Sequence, residues 1–152
     1  MTIYSRTNAT GSDFRNLVSL LDADLSIRDG EDHDFYDQFN KIDNIHHVIV
    51  CYHNSMPVGC GALKRFDSNK VEIKRMFVKF DAREQGFAQA ILQALELWAI
   101  ELQYSECILE TGKKQPEAIN LYKKAGYQKI DNYGQYENVE NSICMTKALF
   151  NK

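Results

Sequence analysis

The sequence predicts a mixed α/β fold: a central twisted sheet with antiparallel and parallel pairs, flanked by helices. Three observations predict it. Strand-like runs from His47 to Tyr52, Val58 to Phe66 and Val71 to Val78 follow one another, separated by Asn54-Ser55-Met56-Pro57 and Asp67-Ser68-Asn69-Lys70, both rich in turn formers. Apolar residues then recur at Ala88, Ile91, Leu92, Leu95, Ala99 and Leu102, the spacing of a helix with one buried face. A further apolar run, Cys107 to Thr111, comes next, so strand, helix and strand form a crossover whose two strands lie parallel.

The remaining elements are read in order. Phe14, Leu17, Val18 and Leu21 have helical spacing, as do Phe35, Phe39 and Ile42, which predicts two short helices joined by an acidic loop. The three strand runs form an antiparallel meander. After the crossover, Gln115 to Tyr127 predicts a short helix with Pro116 at its start and Gly126 past its end. Ile130 to Tyr136 and Ser142 to Leu149 supply two final strands. No repeat, low-complexity tract or linker interrupts the chain, so residues 1–152 are expected to form a single domain.

Composition narrows the partners. A chain of 152 residues that is 44% apolar can bury a sizeable core. With 18 basic and 21 acidic residues and a net charge of −3 there is no basic field for nucleic acid or for an acidic membrane surface. Cys51, Cys60, Cys107 and Cys144 are far apart, without the paired spacing of a zinc site or a disulfide framework, and are expected to be reduced core thiols. His33, His46, His47 and His53 form no metal-like arrangement with carboxylates, so no metal is expected. Met1 to Arg6 lacks a hydrophobic signal core and no run approaches the ~20 apolar residues of a membrane span, so a soluble cytoplasmic protein is expected.

The most informative stretch is Val78-Lys79-Phe80-Asp81-Ala82-Arg83-Glu84-Gln85-Gly86-Phe87-Ala88, which joins a strand to the long helix. Unpaired N–H groups and the positive dipole end of a helix start favour an anion, Gly86 lets that anion approach the backbone, and Arg83 adds a forked cation. Arg83, Gly86 and Ala88 match Gln/Arg-x-x-Gly-x-Gly/Ala, and Leu121, Tyr122, Gly126 and Tyr127 match Leu-Tyr-x-x-x-Gly-Phe/Tyr. On these two motifs and their spacing the chain resembles the GNAT superfamily of acyl-CoA N-acyltransferases over roughly residues 45 to 135. The resemblance implies a GNAT-like mixed sheet of about six to seven strands flanked by about four helices. It implies acetyl-CoA as co-substrate, its pyrophosphate on Arg83, Glu84, Gln85, Gly86, Phe87 and Ala88, and its pantetheine arm along the backbone edge of Met76, Phe77 and Val78. Gln115 stands where many relatives carry a CoA-contacting Asn. Many relatives pair through C-terminal strands, and a homodimer is expected on that analogy alone.

Acetyl transfer to an amine needs a base for the ammonium proton and an acid for the departing thiolate. The resemblance places Tyr122 beside the thioester sulfur as the acid; by spacing alone it is equally a core tyrosine on the stripe Ala118, Leu121, Tyr122 and Ala125. Two glutamates compete as base. Glu72 matches the catalytic Glu of histone-acetyltransferase-like members and Glu110 that of ribosomal-protein N-terminal acetyltransferases. Glu72 also reads as a sheet-face partner of Lys74 or Arg75, whereas Glu110 is a carboxylate in an apolar run that wants a partner or a task. Asp22, Asp24, Asp29, Glu31, Asp32, Asp34 and Asp37 against a lone Arg28 would attract a cationic amine, or form a solvated loop. Asn132 to Tyr136, with Tyr127, lines the acceptor side or packs as an aromatic turn. Polyamine, aminoglycoside, lysine and amino-terminal acceptors all stay open, as does a CoA-binding sensor without turnover.

Overall fold

The computed structural model describes residues 1–32, Tyr36 and residues 45–149. Its elements are β1 (Thr2–Thr7), α1 (Ser12–Asp29), β2 (His47–His53), β3 (Met56–Arg65), β4 (Lys70–Val78), α2 (Phe87–Glu101), β5 (Glu106–Gly112), α3 (Pro116–Lys124), β6 (Gln128–Ile130) and β7 (Ser142–Ala148). One seven-stranded sheet runs in the order β1-β2-β3-β4-β5-β7-β6, and only the β4–β5 pair is parallel. The helix expected around Phe35, Phe39 and Ile42 lies outside the described residues.

The turns follow their chemistry. Asn54 and Ser55 both take positive φ, 50° and 69°, as a tight hairpin demands. At the next turn Asp67 Oδ1 accepts from the backbone N–H of Asn69 and Lys70, each at 2.8 Å, which closes β3 onto β4. Helix α2 lays Ile91, Leu92, Leu95 and Ala99, all with no exposed surface, on one face of the sheet against Ile49, Leu63, Val71, Ile73 and Leu109. Each of the Ile and Leu side chains contributes roughly 1.5–3 kcal/mol of burial, and Ala99 about 0.8 kcal/mol. On the other face α1 buries Phe14, Leu17 and Val18 against Val48, Val50, Cys60 and Ala62.

Two differences from the sequence pattern stand out. The chain opens with a strand, β1, at the edge of the sheet; Ile3 points out at 48% exposure and the strand lacks the apolar alternation that would mark it. The strand expected from Ile130 to Tyr136 does not continue past Ile130. β6 ends at Ile130 and the chain turns through a 3₁₀ segment, Gly134–Tyr136, because the side chains of this stretch are tied inward. Tyr136 is buried beside Tyr36 and Cys144, and Asn132 Nδ2 donates to the carbonyls of Val139 and Ser142.

The feature that makes a site is a split in the sheet. β4 and β5 pair only at Lys70–Glu106, Val71–Cys107 and Glu72–Ile108, although both strands continue to Val78 and Gly112. In the same stretch β4 carries a bulge against β3: the register steps from Ala62–Lys74 to Cys60–Phe77, so β4 holds one extra residue there. Arg75 sits in that bulge at φ 57°. Opposite it stands Gly61, where an added Cβ would lie 2.6 Å from Met76 Sδ and 2.7 Å from Leu95 Cδ1.

Candidate active site

Where β4 and β5 part, a cavity of about 100 Å³ opens, walled by Ile73 to Met76 of β4, Glu110 to Gly112 of β5, Gln115 just before α3, Ala118 and Tyr122 of α3, and Leu21, Leu25 and Asp29 of α1. Of the two glutamates only Glu110 is on that wall. Burial pushes its carboxyl up to about 7, against the opposing pull of a hydrogen bond from Ser142 and the nearby charge of Lys74. Ser142 Oγ donates to Glu110 Oε2 at 2.6 Å. Glu72, on the same sheet face, is 5% exposed and otherwise engaged: Tyr133 donates its hydroxyl to Oε2 at 2.7 Å, and Lys74 Nζ lies 3.9 Å from Oε1.

Tyr122 belongs both to the core and to the cavity wall. Its ring packs in the core with Leu109 and Val71 and meets Tyr127 edge-on at 5.8 Å, and the residue also lines the cavity. Burial first, and then the charge of Glu110, raise its phenol above the ordinary value, so it stays protonated. Tyr127 does not line the acceptor side. Its hydroxyl donates to Glu96 Oε2 at 2.8 Å on the α2 side of the sheet, where Lys147 Nζ reaches Glu96 Oε1 at 2.9 Å.

The helix start at Gly86 is built as its sequence suggests, with one refinement. Gly86 is the cap that precedes α2, at φ 83°, and nothing lies within 4 Å of where its Cβ would be. The left-handed backbone and open access both call for glycine. Arg83 Nε donates to the Val78 carbonyl at 2.9 Å, its guanidinium lies 5.8 Å from the Phe77 ring and 5.6 Å from the Phe80 ring, and Asp24 is 4.0 Å away. Beyond Glu72 the β4 edge through Met76, Phe77 and Val78 has, among the described residues, no strand paired with it on the β5 side.

The acidic run is only partly a surface for cations. Asp22 pairs with Arg75, Asp24 with Arg28 at 3.2 Å, and Arg28 also with Glu117 of α3. Asp29 is buried, 3% exposed, on the cavity wall. Asp34, Asp37 and His33 lie outside the described residues. Lys74, buried beside the carboxylates, is held below its ordinary pKa by burial, partly offset by Glu72. Among the described residues no cluster of His, Cys, Asp and Glu is arranged to hold a metal ion, and no helix is long and apolar enough to cross a membrane. The four cysteines are free and buried, and burial pushes Cys60 and Cys107 up to about 12 and Cys144 to about 11, values that leave them poor nucleophiles.

A mixed sheet whose two parallel strands part, with a helix starting soon after the first of them, is a fold this chain shares with N-acyltransferases. A protein of Klebsiella pneumoniae described as an acyl-CoA N-acyltransferase matches it with TM-score 0.83 and 26% identity, over 99% of both chains. A GNAT family acetyltransferase of Elizabethkingia anophelis, solved with acetyl-CoA bound, shares the fold at TM-score 0.72 and 19% identity, over 97% of this chain and 98% of that one. The chain belongs to the GNAT acetyltransferase domain family, whose model matches residues 44–129. An uncharacterised N-acetyltransferase of Bacillus subtilis (strain 168) is 36% identical over 93 residues, 60% of this chain, which thus spans 62% of that relative's length. The IAA acetyltransferase of Azospirillum brasilense is 33% identical over 102 residues, 66% of this chain and 67% of that protein.

Proposed function

We propose that this single domain is an acetyl-CoA-dependent N-acetyltransferase in which Glu110 is the base and Tyr122 the acid. The observation that carries this reading is that both side chains face one cavity at the point where β4 and β5 diverge. Acetyl-CoA lies with its pyrophosphate on the backbone of Arg83 to Ala88, its pantetheine arm along Met76 to Val78, and its thioester in the split, where Gln115 adds an amide at the wall. A side-chain carboxyl near 7 is suited to take a proton at neutral pH, because it is substantially ionised there yet basic enough to accept.

Glu110 takes a proton from the acceptor ammonium, the free amine attacks the thioester carbonyl, and the tetrahedral adduct collapses with loss of the thiolate. Tyr122 donates to that thiolate and regains a proton from the former amine nitrogen as it becomes the amide. Burial weakens the phenol as an acid, but it equally raises the proton affinity of a thiolate developing in the same dry cleft, so the transfer remains matched. Glu72 is assigned a structural part, holding Tyr133 and Lys74 on the sheet face. The acceptor is an amine small enough, or narrow enough at its reactive end, to reach between Asp29 and Glu110.

The test is release of free thiol from acetyl-CoA over a panel of polyamines, aminoglycosides, amino acids and short peptides. Amine-dependent release that Glu110→Gln removes is expected. Binding of acetyl-CoA without release by any amine would favour a silent CoA-binding module instead.

A further inference from the structure

Ser142 and Tyr36 are far from Glu110 in sequence and next to it in space. Ser142, 3% exposed at the start of β7, donates to Glu110 Oε2 at 2.6 Å, and its Oγ lies 2.8 Å from the Tyr36 hydroxyl. A serine hydroxyl has one proton. Because that proton goes to the carboxylate, Tyr36 must be the donor in the second bond. Burial keeps the Tyr36 phenol protonated, so the direction is consistent. The chain therefore runs one way, from Tyr36 to Ser142 to Glu110. We infer that Ser142, oriented by Tyr36, is a positioning residue for the base: it fixes Oε2 and leaves Oε1 as the oxygen that takes the amine proton. The inference rests on the assignment of Glu110 as base.

The chemistry needs such a device. Glu110 is faced by Glu72 and Lys74 of β4, Asp29 of α1, Tyr122 of α3, Tyr36, Tyr136 and, across the β5–β7 ladder, Cys144. Burial and the two carboxylates favour the protonated form, in which Glu110 accepts no further proton. Lys74 opposes them through charge alone. Ser142 donates directly to Glu110, and a donor to the ionised carboxylate favours ionisation. In the step itself the amine proton passes to Oε1, while the Ser142 and Tyr36 protons stay on their own oxygens.

The experiment is an infrared pH titration of the acetyl-CoA-free chain, following the protonated-carboxyl band that disappears in Glu110→Gln. The band should lose half its intensity near pH 7 in the parent chain. Ser142→Ala should raise the midpoint by about one unit, the size of a lost hydrogen bond to a charged group. Tyr36→Phe keeps the ring in place and should raise it by less. An unchanged or lowered midpoint in both variants would overturn the inference, because a merely structural serine would not move it. A raised midpoint together with thiol release that survives Glu110→Gln would instead leave the hydrogen-bond chain standing and remove Glu110 as base.

Discussion

Glu72 stands opposite Ile108 in the last register pair that joins β4 to β5, and two residues later Glu110 has no β4 residue paired across from it. That relationship separates two carboxylates which share a sheet face. Replacing Glu110 by Gln should lower kcat by about 10²- to 10⁴-fold, the usual weight of a general base, with little change in acetyl-CoA affinity. Glu72→Ala should act on stability instead, costing about 1–3 kcal/mol because Tyr133 loses its buried acceptor. Steady-state kinetics and urea unfolding of both variants decide; the opposite assignment would appear as the larger kcat loss in Glu72→Ala.

The pH dependence follows from the same carboxyl. Its folded value of about 7 lies above the ordinary 4.5, so the folded state holds a proton that the unfolded chain has already released between those values. Stability contributed by this group is therefore present below about 4.5 and lost as pH rises through 7, a change of about 3 kcal/mol. Activity runs the other way and should rise through pH 7. Glu110→Gln should flatten both curves, and at pH 8 it should melt at a higher temperature than the parent chain.

Tyr122→Phe keeps the edge-on ring contact with Tyr127 and removes only the hydroxyl. Turnover should fall by about 10²-fold or more while CoA binding by calorimetry is unchanged. If turnover is unaffected, Tyr122 is a core residue and the thiolate is protonated by solvent.

At the helix start, Gly86→Ala tests the backbone. A methyl there meets no atom within 4 Å, but the left-handed conformation costs about 1–2 kcal/mol. The loop should relax away from its anion-binding shape. CoA should then bind more weakly by about tenfold, and dephosphorylated pantetheine, which lacks the pyrophosphate, should bind as before.

What the sequence revealed depended on how local the cause was. The meander, the capping glycine and α2 are set by residues a few positions apart, so spacing suffices to find them. Glu110 is conspicuous because a carboxylate directly follows the apolar run Cys107-Ile108-Leu109. The split was not visible, since nothing in the composition of Ile73 to Val78 says that β5 leaves it. Nor was the chain from Tyr36 to Ser142 to Glu110, whose members meet only through tertiary packing. Tyr127 misled because a tyrosine after a helix-ending glycine looks the same whichever side of the sheet it finally faces.

The extra residue in β4 has an evolutionary side. Val71 and Ile73 face α2, Lys74 and Arg75 both serve the α1 side, and Met76 and Val78 return to α2. Deleting Arg75 would leave every other β4 residue on its present face and give β3 an unbroken ladder. A lineage that lost this one codon would keep its hydrophobic core and its strand order. What it would lose is the kink beside the split, so the reading frame of a single strand separates a scaffold from a catalyst.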